Sequence, residues 1–167
     1  LRVEFETKDG HQYMGLFERS HMQFEADRAS DPGGEPSLED MTRFAIKQLQ
    51  GNEKGYFLLV EGGRIDHAHH FGNAYRALTD TVAMSDAVAA AVEMVDLEDT
   101  LIMVTADHSH TLTISGYPKR GNPILGKVEQ VGYLPVLGEE PLAYTTLGYA
   151  NGPGYKEDMP NLAAVDT

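Results

Sequence analysis

The sequence predicts an α/β fold: a mostly parallel sheet flanked by helices, followed by a loop-rich segment. Three observations carry this. Residues 55–60 and 100–106 are continuous apolar runs, the pattern of strands buried on both faces. Between them, residues 73–95 hold a helical pattern with no Gly or Pro. From Gly116 onward, 52 residues hold 6 Pro and 8 Gly, against 2 Pro and 9 Gly in the preceding 115. The chain thus divides into residues 1–115, part of an α/β domain, and residues 116–167, a loop-rich segment.

Taken in order, residues 3–7 alternate like a short strand before the Asp9-Gly10 turn. Residues 31–36, Asp-Pro-Gly-Gly-Glu-Pro, form a breaker cluster and hence a loop. Ser37 follows, with Asp40 at the third helical position of a capping box. Leu38, Met41, Phe44, Ala45 and Leu49 step at three or four, an amphipathic helix that stops at Gly51. In the 73–95 helix, Ala74, Leu78, Val82, Ser85, Ala89 and Val92 form one stripe. Strand, helix, strand makes a βαβ unit with a right-handed crossover. A further strand is expected at residues 143–147.

Composition bounds the function. The chain has 167 residues, 13 basic and 26 acidic, for a formal net charge of −13. That charge disfavours nucleic acid or an anionic membrane surface as the main partner. No apolar run approaches the roughly 20 residues of a membrane span; Tyr56 to Val60 is only five long. There is no cysteine, so disulfides, thiolate metal sites and cysteine nucleophiles are excluded. The chain opens on Leu1 without a signal-like segment and reads as a processed product or a piece of something longer.

Five of the seven histidines lie in two tight clusters. One is Glu61-Gly62-Gly63-Arg64-Ile65-Asp66-His67-Ala68-His69-His70; the other is Asp107-His108-Ser109-His110. Each directly follows a predicted strand, and ligand sites of open α/β sheets sit at the carboxyl ends of strands. Imidazole suits zinc, and carboxylate suits zinc or magnesium. Asp66 and His70 are one helical turn apart and can reach one ion. Asp107 and His108 can share an ion if the chain turns there. Gly62 and Gly63 give room for a sharp bend after Glu61. His11 and His21 read as solvated. Gly62-Gly63 lacks the lysine and spacing of a phosphate loop, and Ser109 lacks a nucleophile elbow. The residues alone leave two readings, a two-metal hydrolase edge or a metal-binding fragment.

The two clusters resemble the metal-ligand blocks of alkaline phosphatases. Gly15-Leu16-Phe17-Glu18, Gly55-Tyr56-Phe57-Leu58-Leu59, Gly116-Tyr117-Pro118, Arg120-Gly121-Asn122 and Gly152-Pro153-Gly154-Tyr155 extend the similarity over about residues 14–155. The resemblance implies two zinc ions and one magnesium. Glu61 matches the magnesium ligand, Asp66 and His70 ligands of the first zinc, and Asp107 and His108 ligands of the second. His110 matches a histidine that steadies Asp66, and His67 a position near the bound phosphate. Phe17 and Glu18 match part of a calcium site of some animal members, whose later carboxylate falls at Glu35 or at Asp31. Residues from about Tyr117 resemble the crown, which shapes the entrance and the dimer contact.

The implied activity is hydrolysis of small phosphomonoesters through a phosphoserine. The family's nucleophilic serine, its phosphate-binding arginine and one zinc histidine match nothing in this chain, so the piece alone is expected to be inactive. The whole protein is expected to be a homodimer, periplasmic or at the cell surface. The rivals are a sulfatase, phosphodiesterase or phosphomutase of the same superfamily, which would depart from the Glu61–Asp66 block, and a non-catalytic zinc-binding fragment.

Overall fold

Helices dominate the computed structural model, which describes residues 13–128 and 145–152. In chain order they are α1 (Glu25–Arg28), α2 (Leu38–Leu49), α3 (Arg64–His70) and α4 (Ala74–Met94), followed by strands β1 (Leu112–Ile114) and β2 (Leu147–Tyr149). The chain falls into two compact units. One holds Leu1–Gly62 and Thr79–Met103; the other holds Gly63–Leu78 and Val104–Thr167. The expected strand at residues 3–7 lies outside the described residues.

In the first unit, α2 forms where its capping box places it. Ser37 Oγ accepts the Asp40 N–H at 3.0 Å, and Asp40 Oδ2 accepts the Ser37 N–H at 3.0 Å. Two otherwise orphaned donors are thereby satisfied. The buried positions are Thr42 and Ile46, while Phe44 stays half exposed with its ring edge-on to Tyr13 at 5.3 Å. Arg43 bridges Glu39 on α2 and Glu93 on α4 at 2.7 and 3.0 Å. The short α1 has no signature in the sequence pattern. Asp80 of α4 accepts its Glu25 N–H at 3.2 Å, and Glu25 grips Arg28 with two bonds of 2.8 Å, which holds the guanidinium charged.

α4 matches the predicted 73–95 helix to within one residue at each end. Asn73 caps it, its Oδ1 accepting the Arg76 N–H at 3.0 Å. The predicted stripe is not the covered one: Val82, Ser85, Ala89 and Val92 are exposed, whereas Arg76, Ala77, Ala87 and Ala90 are buried. The helix is apolar on more than one face, so periodicity alone does not select the face that packs first.

Among the described residues the parallel sheet expected from the sequence is not seen. Neither the 55–60 run nor the 100–106 run is a strand, and the one sheet among the described residues is the antiparallel pair β1–β2. Phe57 (88%), Leu59 (78%), Leu101 (81%) and Met103 (79%) are exposed, so these runs are not buried on both faces. Tyr56, Leu58 and Val60 are partly covered between them, the period-two pattern of extended chain with one side shielded. The missing ingredient is pairing: a central parallel strand needs a ladder on each edge, and no described segment supplies one.

In the second unit, β1 pairs with β2 in the register Leu112↔Tyr149, Thr113↔Gly148, Ile114↔Leu147. Bonds from Ala150 N to Thr111 O (3.0 Å) and from Ser115 N to Thr146 O (2.8 Å) extend the ladder. The strand expected at 143–147 thus lies slightly later, and residues 143 and 144 are outside the described set. β1 was not foreseen, although Leu-Thr-Ile alternates and Gly116 follows at φ +73°.

Candidate metal centre

The site is built in the second unit from α3 and the segment leading into β1. α3 starts at Gly63, whose φ of −62° any residue adopts, so the expected sharp glycine bend is not used there. The special glycine is Gly72, at φ +64° directly after the C-cap Phe71, with its N–H bonded to His69 O at 3.0 Å. This left-handed residue ends α3 and lets α4 start at once.

One turn of α3 sets Asp66 and His70 on the same face, with His70 Nε2 3.4 Å from Asp66 Oδ2. From the other segment come His108, Nε2 3.8 Å from Asp66 Oδ1, and His110, Nε2 3.6 Å from the same oxygen. Asp107 joins through His108, Oδ2 to Nε2 at 3.4 Å, with its own carboxylate exposed. One carboxylate thus faces three imidazoles. Asp66 Oδ1 is buried and accepts no hydrogen bond. A buried anionic oxygen without a donor is costly, and a cation among these nitrogens would relieve it. Ligand atoms of Asp66, His70 and His110 lie within 4.8 Å of one another, the one such trio among the described residues. The donor set of imidazole and carboxylate fits zinc.

Hydrogen-bond partners assign the tautomers. His108 Nδ1 is 2.8 Å from the Ser109 carbonyl, which can only accept. His108 therefore carries its proton on Nδ1 and presents a bare Nε2 lone pair, the form that ligates metal. His110 is the reverse. Its Nδ1 accepts the Thr111 N–H at 2.8 Å, so the neutral ring keeps its proton on Nε2, aimed at Asp66 Oδ1. His110 sits close enough to be counted with the ligands, yet its tautomer turns an N–H rather than a lone pair toward Asp66, at 3.6 Å and short of a hydrogen bond. His67 Nδ1 accepts from Arg64 Nη1 at 3.0 Å. The Ser109 carbonyl, and secondarily Asp107, raises the affinity of His108 for a second proton. Burial, and then the neighbouring His110, lowers that of His69.

The other site residues named from the sequence lie in the first unit. Glu61 is exposed. Glu18 is exposed, its Oε1 accepting the Arg19 N–H at 2.6 Å, beside half-buried Phe17. Glu35 is 6% exposed; Oε2 accepts the Gln23 N–H at 2.7 Å, while Oε1 is buried with no partner. Asp31 Oδ2 accepts the Glu35 N–H at 3.3 Å. Sequence reasoning gave no role to His69, Thr111, Tyr149 or Asn151, all of which adjoin the cluster. Tyr149 OH meets His69 Nδ1 at 2.9 Å across 80 residues of chain, and Thr111 Oγ1 donates to Asn151 Oδ1 at 2.6 Å.

The model of the alkaline phosphatase family matches residues 2–166. Tissue-nonspecific alkaline phosphatase of Felis catus is 46% identical over 171 residues, covering 99% of this chain and 31% of that protein. The Homo sapiens counterpart is 44% identical over 99% of this chain and 31% of its own length. The membrane-bound alkaline phosphatase of Bombyx mori is 43% identical over 84% of this chain and 24% of its own length. The chain spans about a third of the mammalian relatives. With a family model matched nearly end to end and the two histidine clusters inside it, the chain belongs to the alkaline phosphatase family.

Proposed function

We propose that this chain supplies part of the metal centre of a phosphomonoesterase acting on small phosphate esters. The observation that carries the reading is Asp66: a buried carboxylate oxygen without a donor, ringed by His70, His108 and His110. Asp66 and His70 hold a first zinc, Asp107 and His108 a second, and Glu61 a magnesium. Held by these residues, zinc would supply Lewis-acid stabilisation of the charge that builds on phosphate oxygens during phosphoryl transfer. The chain's own residues prepare that step. His110 holds its Nε2–H toward Asp66 at 3.6 Å and would steady that carboxylate once a metal draws the cluster together. The Ser109 carbonyl holds the Nδ1 proton of His108 and so frees its Nε2. His67, held by Arg64, lies near the phosphate. A serine outside the matched residues is the nucleophile.

In the whole protein the 55–60 and 100–106 runs are strands of a mostly parallel sheet, paired to segments of the two-thirds of the family length that lie outside this chain. Residues 1–115 belong to that α/β domain, and residues 116–167 to the crown at the dimer contact. Phe17, Glu18 and Glu35 hold a calcium ion, for which the unpartnered Glu35 Oε1 is a ready ligand. The protein is a homodimer at an extracellular or periplasmic surface; no described helix is long and apolar enough to cross a membrane.

The test is phosphate release from an aryl phosphate at pH 9 by the full-length protein loaded with zinc and magnesium. Release that stops on chelation and returns with zinc is expected. A protein that binds zinc and releases no phosphate would instead be a non-catalytic zinc-binding member.

A further inference from the structure

His69 and Tyr149 have no part in the ligand set, yet they form the tie between α3 and the β1–β2 pair. Tyr149 OH and His69 Nδ1 are 2.9 Å apart, and the two rings sit 5.7 Å centroid to centroid. The His69 ring in turn lies 5.2 Å from that of His110, tilted by 32°, while His70 meets His110 edge-on at 4.6 Å. His110 is therefore in ring contact with two α3 imidazoles, and one of these is anchored from β2. Register fixes the anchor: Tyr149 pairs with Leu112, two residues beyond His110. The segment just after β2 reaches His110 by a second route, because Asn151 accepts from the hydroxyl of Thr111, whose N–H occupies His110 Nδ1.

We infer that Tyr149 is a positioning residue for the metal centre: its hydroxyl orients His69, which buttresses His110 so that its Nε2 proton stays aimed at Asp66. This rests on the metal reading proposed above. Tyr149 touches neither Asp66 nor the reacting groups, so its effect must pass through His69. A small, specific loss of metal affinity should result from removing one oxygen.

The experiment compares the full-length protein with Tyr149→Phe, His69→Phe and the double variant. Zinc affinity is read by competition with a chromophoric chelator, with kcat at saturating zinc and the melting temperature of the zinc-stripped forms alongside. Tyr149→Phe is expected to weaken zinc binding about tenfold, the lower end for an outer-shell partner. Its kcat should recover in excess zinc, and its zinc-free melting temperature should match wild type. The double variant should be no weaker than His69→Phe alone, since both changes break one link. Wild-type zinc affinity in Tyr149→Phe, or fully additive losses in the double variant, overturns the inference alone. Wild-type protein that takes up no zinc overturns the metal reading and the inference with it.

Discussion

His108 and His110 stand two residues apart in opposite tautomers. One gives its Nδ1 proton to the Ser109 carbonyl at 2.8 Å, and the other receives the Thr111 N–H on Nδ1 at 2.8 Å. The backbone thereby sorts two chemically identical side chains into one with a bare Nε2 lone pair and one with an Nε2–H.

That sorting predicts different outcomes for the same substitution in the full-length protein. His110→Gln keeps an amide N–H near the position of Nε2 and can still donate to Asp66, so a loss of about tenfold in kcat/KM is expected. His108→Gln removes a ligand nitrogen and is expected to lose its zinc, with turnover falling to background. Steady-state kinetics with metal analysis of both variants checks this. Equal losses in the two would contradict the tautomer assignment.

The 167 residues expressed alone are expected to self-associate and to bind zinc weakly. Phe57, Leu59, Leu101 and Met103 lie open on unpaired extended runs, a template for edge-to-edge association. Each zinc would find only two of the ligands proposed here, against the three or four of a tight site. Sedimentation and calorimetric titration with zinc test this. A stable monomer with nanomolar zinc affinity would show a self-contained site.

Ser37→Ala is expected to cost about 1 kcal/mol of unfolding free energy in the full-length protein, the usual value of an N-cap. The cost should depend on pH with a definite sign. The Ser37 hydroxyl and then its N–H hold the Asp40 carboxyl below its ordinary 3.8. A carboxyl lowered in the folded state stabilises fully above its unfolded pKa and ceases to as pH falls through the folded one. The gap between wild type and Ser37→Ala should therefore be constant near neutrality and shrink below about pH 3.8. Urea unfolding of both proteins across that range measures it, and a gap that widens in acid would refute the capping box.

Local rules made much of this legible in advance. The Ser37–Asp40 capping box placed α2, the uninterrupted run after Asn73 placed α4, and the i, i+4 spacing of Asp66 and His70 put both on one face of α3. Each is a matter of a few neighbouring residues, whose hydrogen bonds and geometry the sequence by itself determines. Only the tertiary structure decided which face of α4 is covered, that the apolar runs find no strand partner among the described residues, and that Tyr149 reaches His69 from 80 residues away. Those outcomes depend on which distant segments meet. An apolar run states that it needs partners but not which ones, and a histidine states that it can ligate or donate but not which nitrogen holds the proton. At His108 and His110 that was settled by the turn of the backbone around each ring.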